Sequence, residues 1–518
     1  MYLVGIRQNL PHFQEVDEAT RVTRAVAMVA NWNPNPGWFG HPSSTVFYPL
    51  AFAYYLWNVL FNGGPLWGPD PSLLARFEAN QAIYYLVARW LTIAYGLLSL
   101  PLVFLVGRRA FGERTAVLAV WLTLTYTAIV AHAQVARDDS AGLFFALLGL
   151  WLSLRFYERP TARYRLLAGV SIGLAVSSRY FLAAFTLPLL AAEAAHLWPR
   201  RAEPRAWGGA LLGAALGTVA VALGFALSTP FFFLDSATAL ADLTQESRNV
   251  HLGADGLSPL QNFAWYVTTA VPRSVSWTHA LLALVGAAVA FAYRRIVPAF
   301  MALMVVAFLA ALSLHGLHWQ RWTIQILPLV ALLAADAALW LPGQVAARLR
   351  LDKRLATSLL CLALALVLGV QTVDLALFAV RQATPSTRIR ATEWLLQNAP
   401  PGSKIAFEHY SIFPVDTPYV LDYRQSLASD RTLAEYRKEG FDYLVVCDEI
   451  YNRFLFAPER YPREAAFYRE LFTSVPLAAE FLPSPARPGT AETTNLANGR
   501  SGGAGGGTVI RIYRLQGK

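Results

Sequence analysis

Charged residues are scarce in this chain. Of its 518 residues only 15% are charged and 55% are hydrophobic, and the mean hydropathy is +0.38. Soluble domains carry roughly 25% charged residues, so the chain lacks the polar surface that a soluble globule of this size needs. Apolar runs long enough to cross a bilayer, about 17–25 residues each, recur between Ala82 and Val380. The composition therefore predicts a multi-pass membrane protein.

Cysteine and the common catalytic motifs are also scarce or missing. The two cysteines, Cys361 and Cys447, are too few for a disulfide framework and have no metal-ligand spacing. The sequence has no His-Glu-x-x-His, no phosphate-binding P-loop, no Gly-x-Gly-x-x-Gly after a strand and no Gly-x-Ser-x-Gly. Zinc-protease, nucleotide-binding and serine-hydrolase functions thus have no support. An enzyme acting outside the cytoplasm would need a membrane-borne donor instead of a nucleotide.

The net charge of +10 comes from arginines in short loops between apolar runs, which is typical of cytoplasmic loops and does not indicate a nucleic-acid partner. The predicted spans, about ten, are Ala82–Val106, Thr115–Ala133, Ser140–Phe156, Leu166–Ser177, Phe181–Leu197, Trp207–Leu227, Trp277–Tyr293, Ile296–Leu314, Trp322–Leu341 and Ala356–Val380. With these spans, the five short loops that are rich in arginine all fall on the same side of the membrane. The opposite, extracytoplasmic side receives Asp138-Asp139 and the carboxy-terminal region.

Three regions are expected. Residues 1–81 form an outer loop, with helices over Ala19–Ala30 and Ser44–Phe61 at the bilayer surface, because a crossing there would put Arg108-Arg109 outside. Met1–Ile6 is too short to cross, so we expect a first transmembrane helix to be missing. Residues 82–380 form the transmembrane bundle.

Residues 381–518 are predicted to be a soluble extracytoplasmic α/β domain, since the apolar runs end at this point. The expected elements are a helix over Ser386–Asn398, strands at Ile405–His409, Tyr443–Cys447 and Val509–Tyr513, and a flexible loop over Pro483–Gly507.

Two acidic pairs are candidates for chemistry. At the mouth of a bundle, Asp17 or Glu18 would act as a general base or help to bind a divalent cation; the alternative is a helix N-terminus, where acids favour the dipole. Asp138-Asp139 lies at the outer end of a predicted span, where ionisable residues commonly face a polar cavity. Its alternative is an N-cap, which explains one aspartate better than two.

Three isolated arginines, Arg89, Arg179 and Arg321, lie in or beside apolar segments. The planar guanidinium suits phosphate, although each side chain would also reach the interface by snorkelling. His251, in the long outer loop, is a candidate for binding phosphate or metal, but a lone histidine is more often a surface residue.

Several short segments, in this order, resemble the type C glycosyltransferase superfamily, in particular the branch with protein O-mannosyltransferases and lipid A aminoarabinose transferases. They are Asp17-Glu18-Ala19, the stretch from His41 to Tyr48, Arg89, Gly107–Gly112, Arg137–Phe145, Ser178-Arg179-Tyr180 and Arg321-Trp322 with Pro328-Leu329. The chain departs from the pattern at Ser43-Ser44, where relatives have Pro-Leu, and at Trp322, where they have Tyr.

The resemblance implies a mainly α, polytopic transmembrane helix bundle with a small carboxy-terminal extracytoplasmic α/β domain. It implies transfer of a hexosyl or pentosyl group from a polyprenyl-phosphate donor to a lipid, protein or glycan acceptor, with inversion. Asp17 would be the general base, Glu18 its support and Asp139 the second acid. The substrate-binding residues would be Asp138, Arg89, Arg179, Tyr180, Arg321, His251 and His41. No cofactor is expected except a divalent cation, which Asp17 and Asp139 would hold.

Two other functions stay open at this point. A transporter or flippase also places acids and arginines in the membrane, but it predicts matching halves with broken helices, and no such halves are visible. A receptor with an outer binding domain predicts that Asp17 and Asp139 can be replaced freely. The hypothesis of an enzyme instead requires the carboxylates of Asp17 and Asp139 to lie in one pocket.

Overall fold

The computed structural model describes residues 2–12, 16–246, 257–315, 318–412, 418–483 and 508–515. The chain forms two compact units. Within the described residues, the first contains 2–6, 17–246 and 258–376, and the second contains 7–12, 16, 257 and the residues from 377 onward.

The amino-terminal region forms three helices: α1 (Val16–Ala30), α2 (Ser44–Asn62) and α3 (Ser72–Ala79). The first two confirm the helices predicted over Ala19–Ala30 and Ser44–Phe61. α2 ends at Gly63, whose φ of 65° makes a left-handed cap. One face of α2 is exposed and wholly apolar, as expected for a helix at a membrane surface: Phe52, Leu56, Trp57, Leu60 and Phe61.

The remainder of the first unit is a helical bundle, and α18 continues from it into the second unit. Its helices are α4 (Gln81–Ala110), α5 (Glu113–Thr125), α6 (Thr127–Ala133), α7 (Asp139–Glu158), α8 (Ala162–Val176), α9 (Thr186–Leu197), α10 (Pro204–Ser228), α11 (Phe231–Leu234), α12 (Ser236–Glu246), α13 (Pro259–Trp265), α14 (Val271–Val275), α15 (Trp277–Ala292), α16 (Ile296–Ser313), α17 (Leu327–Arg348) and α18 (Lys353–Gln382). Short 3₁₀ segments cover Tyr180–Phe185, Trp198–Arg200 and Gln320–Ile326, and a π segment covers Tyr266–Ala270.

Seven described helices are long and apolar enough to cross a membrane, or up to nine if two bent helix pairs each count as one span. The ten predicted spans are therefore not all reproduced. The predicted span Leu166–Ser177 corresponds to α8, which has only 15 residues, whereas a full crossing takes about 20. The helix ends at Val176, one residue before the predicted end, where the chain turns at Ser177-Ser178 and carries Arg179 into a buried ion-pair cluster.

Close helix contact explains why α8 is nonetheless firmly held. A Cβ atom on Gly169 would lie 2.6 Å from the Ala220 Cβ, and one on Gly173 would lie 2.4 Å from the Val221 carbonyl oxygen. Only glycine lets α8 and α10 approach so closely, as in membrane helix pairs with small residues at the interface. This contact holds α8 in place, and Arg179 follows shortly after the end of α8.

The second unit is an α/β domain, as predicted. Its strands are β1 (Lys404–Glu408), β2 (Val420–Arg424), β3 (Tyr443–Cys447), β4 (Leu477–Phe481) and β5 (Ile510–Arg514), and its helices are α19 (Thr387–Asn398), α20 (Leu427–Asp430), α21 (Leu433–Lys438), α22 (Asp448–Leu455) and α23 (Pro462–Ser474). The sheet order is β2-β1-β3-β5-β4, with β1 parallel to β2 and β3, and β5 antiparallel to β3 and β4.

Three strands were predicted and two were missed. β2 and β4 are the edges of the sheet, and their residues are partly exposed. The predicted helix over Ser386–Asn398 is confirmed: Ser386 is the N-cap and accepts a hydrogen bond from the Ile389 amide at 3.3 Å. The predicted loop at Pro483–Gly507 lies, except for Pro483, outside the described residues.

Candidate active site

Asp17 lies in the first turn of α1, and its side chain is 33% exposed. Its Oδ2 atom accepts a hydrogen bond from Arg137 Nη2 at 2.6 Å and lies 3.7 Å from Arg321 Nη2. Burial opposes ionisation, but the guanidinium groups of Arg137, Arg21 and Arg321 outweigh it and hold the pKa of the Asp17 carboxyl well below its usual range. Asp17 is thus an ionised, reachable carboxylate.

Glu18, the next residue, is fully buried and forms a forked pair with Arg89. The Nε–Oε1 and Nη2–Oε2 distances are 2.8 and 2.9 Å, and the Ala136 amide also donates to Oε1 at 3.1 Å. Arg89 Nη1 donates to the Ile6 carbonyl at 2.7 Å. The predicted roles of these residues, support of the base for Glu18 and phosphate binding for Arg89, stay predictions. The geometry favours a positioning pair that ties α1 to α4.

Asp138 and Asp139 are both fully buried. Asp138 lies 2.8 Å from Arg21 Nη2 and 2.7 Å from Arg179 Nε, through its two oxygens. Asp139 lies 3.2 Å from Arg179 Nη2 and 3.6 Å from Arg137 Nε. Asp138 occupies the N-cap position of α7 but makes no capping hydrogen bond with its side chain. The predicted alternative of a simple helix cap therefore does not describe it.

Together these residues form what we call the acid–arginine cluster: Asp17, Asp138, Asp139, Arg21, Arg137, Arg179 and Arg321. Arg137 joins its two halves, since it contacts both Asp17 and Asp139. Four guanidinium groups face three carboxylates, so the cluster carries one excess positive charge. Because such an excess in a partly enclosed site attracts an anion, the cluster suits a phosphate group.

Sequence reasoning missed two members of this neighbourhood. Arg21 follows Asp17 by one helical turn on α1, a spacing that places both on one face. His132, on α6, has its Nδ1 atom 4.0 Å from Asp139 Oδ2. In the sequence, Arg21 resembled an ordinary helix residue, and His132 lay inside an apolar run.

His41 lies in the loop between α1 and α2, and Tyr180 contacts that loop. Burial, together with the nearby Arg179 charge, lowers the pKa of His41 to about 3, so its imidazole is neutral at neutral pH. Its Nδ1 atom lies 3.0 Å from the Gly40 carbonyl oxygen. Tyr180 donates its hydroxyl to the Phe39 carbonyl at 2.7 Å, while Asp242 accepts from the Phe39 amide at the same distance. Tyr180 was predicted to bind substrate, but its hydroxyl instead fastens this loop.

Two indole rings contact arginines of the acid–arginine cluster. The Arg21 guanidinium lies 5.0 Å from the Trp38 ring centroid, and that of Arg321 lies 4.7 Å from the Trp319 centroid. Such cation–π contacts hold each guanidinium in a fixed direction. His251, the remaining predicted site residue, lies outside the described residues.

A divalent cation was the one candidate cofactor. Within the residues that the structure describes, no group of three or more His, Cys, Asp or Glu side chains is arranged to hold a metal ion. The carboxylates of Asp17, Asp138 and Asp139 face guanidinium groups instead of one another. This set of donors does not fit a cation as it stands, and arginine supplies the positive charge.

An apolar cavity of about 240 Å³ lies among α13, the π segment, α15, α16 and α17, with Phe263, Val267, Val271, Trp277, Leu281 and Val306 among its lining residues. Gln320, which directly precedes Arg321, donates its Nε2 to Ser274 Oγ on α14 at 3.1 Å. The lining of the cavity is apolar and suits a hydrocarbon chain.

Comparison with known proteins supports the predicted resemblance. Residues 84–228 match the family described as dolichyl-phosphate-mannose-protein mannosyltransferase. This segment, just over a quarter of the chain, contains Asp138, Asp139 and Arg179, whereas Asp17 and Arg321 lie outside it. No match to a curated protein sequence was found.

Three solved structures show a distant similarity. The archaeal oligosaccharyltransferase AglB from Archaeoglobus fulgidus, in complex with an inhibitory peptide and a dolichol-phosphate, has 15% identity and a TM-score of 0.47, over 89% of this chain and 71% of its own. ArnT from Cupriavidus metallidurans has 13% identity in both its apo state and its complex with undecaprenyl phosphate, with TM-scores of 0.48 and 0.41, over 100% of this chain and 97% of its own. TM-scores below 0.5 are too low to carry a functional inference.

The family match thus covers the half of the acid–arginine cluster contributed by α7 and by the segment after α8. The predicted resemblance to the branch that contains protein O-mannosyltransferases is confirmed over residues 84–228.

Proposed function

We propose that this protein is an integral-membrane glycosyltransferase. It transfers a sugar from a polyprenyl-phosphate donor to an acceptor hydroxyl on the extracytoplasmic face. The observation that carries the proposal is the single cluster in which Arg137 contacts both Asp17 and Asp139, residues far apart in the sequence. An exposed carboxylate beside an excess of guanidinium groups is what transfer from a phosphate-linked donor requires.

The arginines would bind the donor phosphate. Arg137 and Arg321 both lie next to the Asp17 carboxylate, so a phosphate held there would place the adjoining sugar close to that carboxylate. Arginine makes charge-assisted, paired hydrogen bonds to phosphate oxygens. The Glu18–Arg89 pair would keep α1, and with it Asp17, in position.

The reaction is a direct displacement at the anomeric carbon. The acceptor oxygen forms the new glycosidic bond while its proton passes to the Asp17 carboxylate. The bond between the anomeric carbon and the phosphate oxygen breaks, and its electron pair leaves with polyprenyl phosphate. The phosphate gains one negative charge as the carboxylate loses one, so the guanidinium groups stabilise charge where it develops. Attack opposite the leaving group inverts the configuration.

The low pKa of Asp17 in the absence of substrate is consistent with this role. Three guanidinium groups depress it, which would make the carboxylate a weak base. A bound phosphate carries negative charge that offsets those arginines and raises the pKa again. Donor binding would thus switch on the base.

The apolar cavity lined by residues of α13 to α17 supports a lipid-linked donor, since its lining suits part of a polyprenyl chain. The acceptor, a lipid, protein or glycan, would approach Asp17 between Trp38 and Trp319.

The proposed sidedness follows from α7. Asp139 begins this helix and Arg155 lies in its last turn. Twenty residues span about 30 Å, so the two lie near opposite membrane surfaces. Since arginine-rich loops favour the cytoplasm, the active site would face outward, in a multi-pass protein of the cell membrane.

The decisive experiment compares Asp17→Asn with wild type in membranes supplied with radiolabelled polyprenyl-phosphate sugars. Loss of a general base lowers transfer by about 10²–10⁴-fold. Asp352→Asn is the matched control, because Asp352 only caps α18, where its Oδ1 accepts from the Leu355 amide, and asparagine caps equally well. Full transfer by Asp17→Asn would contradict the mechanism. Movement of donor across the membrane without transfer would favour a flippase.

A further inference from the structure

Gln325 is a fully buried amide with unmet hydrogen bonds. Within the described part of the chain, neither its Oε1 nor its Nε2 atom has a hydrogen-bond partner. Most buried polar side chains are hydrogen-bonded, because leaving such a group unpaired is unfavourable. A buried amide with both ends free therefore points to a ligand, or to ordered water, as its missing partner.

The location of Gln325 relates it to the acid–arginine cluster. It lies four residues after Arg321 on the same 3₁₀ segment. Its Nε2 atom is 3.8 Å from the position that a Cβ on Gly142 would take, and the Gly142 amide donates to the Asp138 carbonyl at 2.9 Å. The amide thus lies beside Gly142, about one helical turn along α7 from the aspartate pair.

His132 adds a second unmet group. Its Nδ1 atom is buried and has no hydrogen-bond partner, since the 4.0 Å separation from Asp139 Oδ2 is too long for a hydrogen bond. Both side chains approach the aspartate pair, Gln325 through Gly142 and His132 through Asp139. Neutral donors and acceptors therefore lie beside the charged cluster.

We propose that Gln325 and His132 bind hydroxyl groups of the donor sugar and help to select it. This rests on the proposed function. An amide offers donors and an acceptor, and a neutral imidazole offers one of each, which matches a hydroxyl that both donates and accepts. The phosphate, an acceptor only, goes to the arginines. The donor headgroup is thereby divided between a charged phosphate subsite and a neutral sugar subsite.

Such a subsite gives selectivity for a physical reason. A site built to hydrogen-bond a hydroxyl rejects analogues without it, because the protein groups then stay buried and unpaired. The absence of a side chain at Gly142 keeps space open beside Gln325. A Cβ atom there would lie 2.7 Å from Leu182 Cδ1 and would fill space beside the Gln325 amide.

The test measures binding of two ligands, polyprenyl phosphate and polyprenyl-phosphate sugars, to the detergent-purified protein. In Gln325→Met, which conserves volume, affinity for the sugar-bearing ligand falls by about tenfold, while affinity for bare polyprenyl phosphate stays unchanged. His132→Phe gives the same pattern. Arg321→Gln weakens both ligands.

Gln371→Met is the matched control. Gln371 is also a buried glutamine, but its amide donates to the Val275 carbonyl and its Nε2 lies 3.1 Å from His279 Nδ1. Its replacement lowers the melting temperature and leaves the ratio of the two affinities unchanged.

Equal binding of both ligands by Gln325→Met and wild type, with a higher melting temperature for the variant, would overturn the inference and leave water as the amide's partner. If wild type binds and transfers sugar but the variants keep its discrimination, only this inference fails. If wild type binds neither ligand, the proposed function itself fails.

Discussion

Buried carboxylates occur in both units of the molecule, but their surroundings differ. In the first unit, Asp138 and Asp139 are enclosed by guanidinium groups. In the second, Glu408, the last residue of β1, is equally buried, yet its oxygens accept from neutral groups: the Leu427 and Cys447 amides at 3.1 Å and the Tyr468 hydroxyl at 2.5 Å. The partner, and not the depth of burial, distinguishes the two sites.

The pKa values of carboxyl groups are therefore shifted in opposite directions in the two units. Burial raises the pKa of Glu408 to about 7, against the lowering effect of its hydrogen bonds, and raises that of Asp448 to about 6. For Asp17 the arginine charges overcome the effect of burial. Neutral donors partly offset desolvation, whereas formal positive charges exceed it. Only the arginine-rich surroundings in the first unit keep a carboxylate ionised, and so available for chemistry, at every physiological pH.

The largest effect should come from breaking the charged arrangement. Arg179→Gln removes the only residue in the described cluster that contacts both Asp138 and Asp139. It leaves two buried carboxylates poorly paired, a change that costs about 3–5 kcal/mol. The expected result is a sharply lower melting temperature in detergent, partly restored by Arg179→Lys. Arg200→Gln, in an exposed pair with Glu203, should melt as wild type does; an equal drop in both variants would contradict the comparison.

A smaller, pH-dependent effect is expected at Glu408. Because its folded pKa is raised above the ordinary value of 4.5, its stabilising contribution is complete below that value and is lost as the pH rises through about 7. The unfolding free energy of the second unit should fall by about 1 kcal/mol between pH 6 and pH 8 from this group. Glu408→Gln, which stays neutral, should flatten that slope, leaving the part due to Asp448.

The buried thiol of Cys447 provides the measurement. In a Cys361→Ala background, the protein is equilibrated in urea at pH 6 or 8, and maleimide labelling then reports the unfolded fraction. A slope that is the same in wild type and Glu408→Gln would show that this carboxyl does not titrate as the comparison requires.

The smallest effect is expected from a substitution that loosens the loop between α1 and α2. Tyr180→Phe removes one hydrogen bond, to the Phe39 carbonyl, and keeps the ring packed near Phe225 and Phe232. Since a single neutral hydrogen bond contributes about 1 kcal/mol, kcat/KM should fall about threefold to tenfold, mainly through KM. A large fall in kcat would instead mean that the hydroxyl contacts the reacting groups.

Much of the site was visible in the sequence because its residues are costly in a membrane. Asp17, Asp138, Asp139, Arg179 and Arg321 stand out as isolated charges near apolar runs, and the structure brings them together. Gln325 and His132 are neutral and gave no such signal. Glu18 and Arg89 gave the same signal as the others, but their mutual pairing could not be inferred without coordinates.

The class of fold and the identity of the charged groups could be predicted from the sequence, because hydrophobic length and the cost of buried charge are local properties of the chain. The central strands β1, β3 and β5 of the second unit were also predicted, but the edge strands β2 and β4 were not. The tertiary structure alone shows which carboxylate stays exposed and which arginine neutralises which acid. Those outcomes depend on contacts between segments distant in sequence, and no local pattern encodes them.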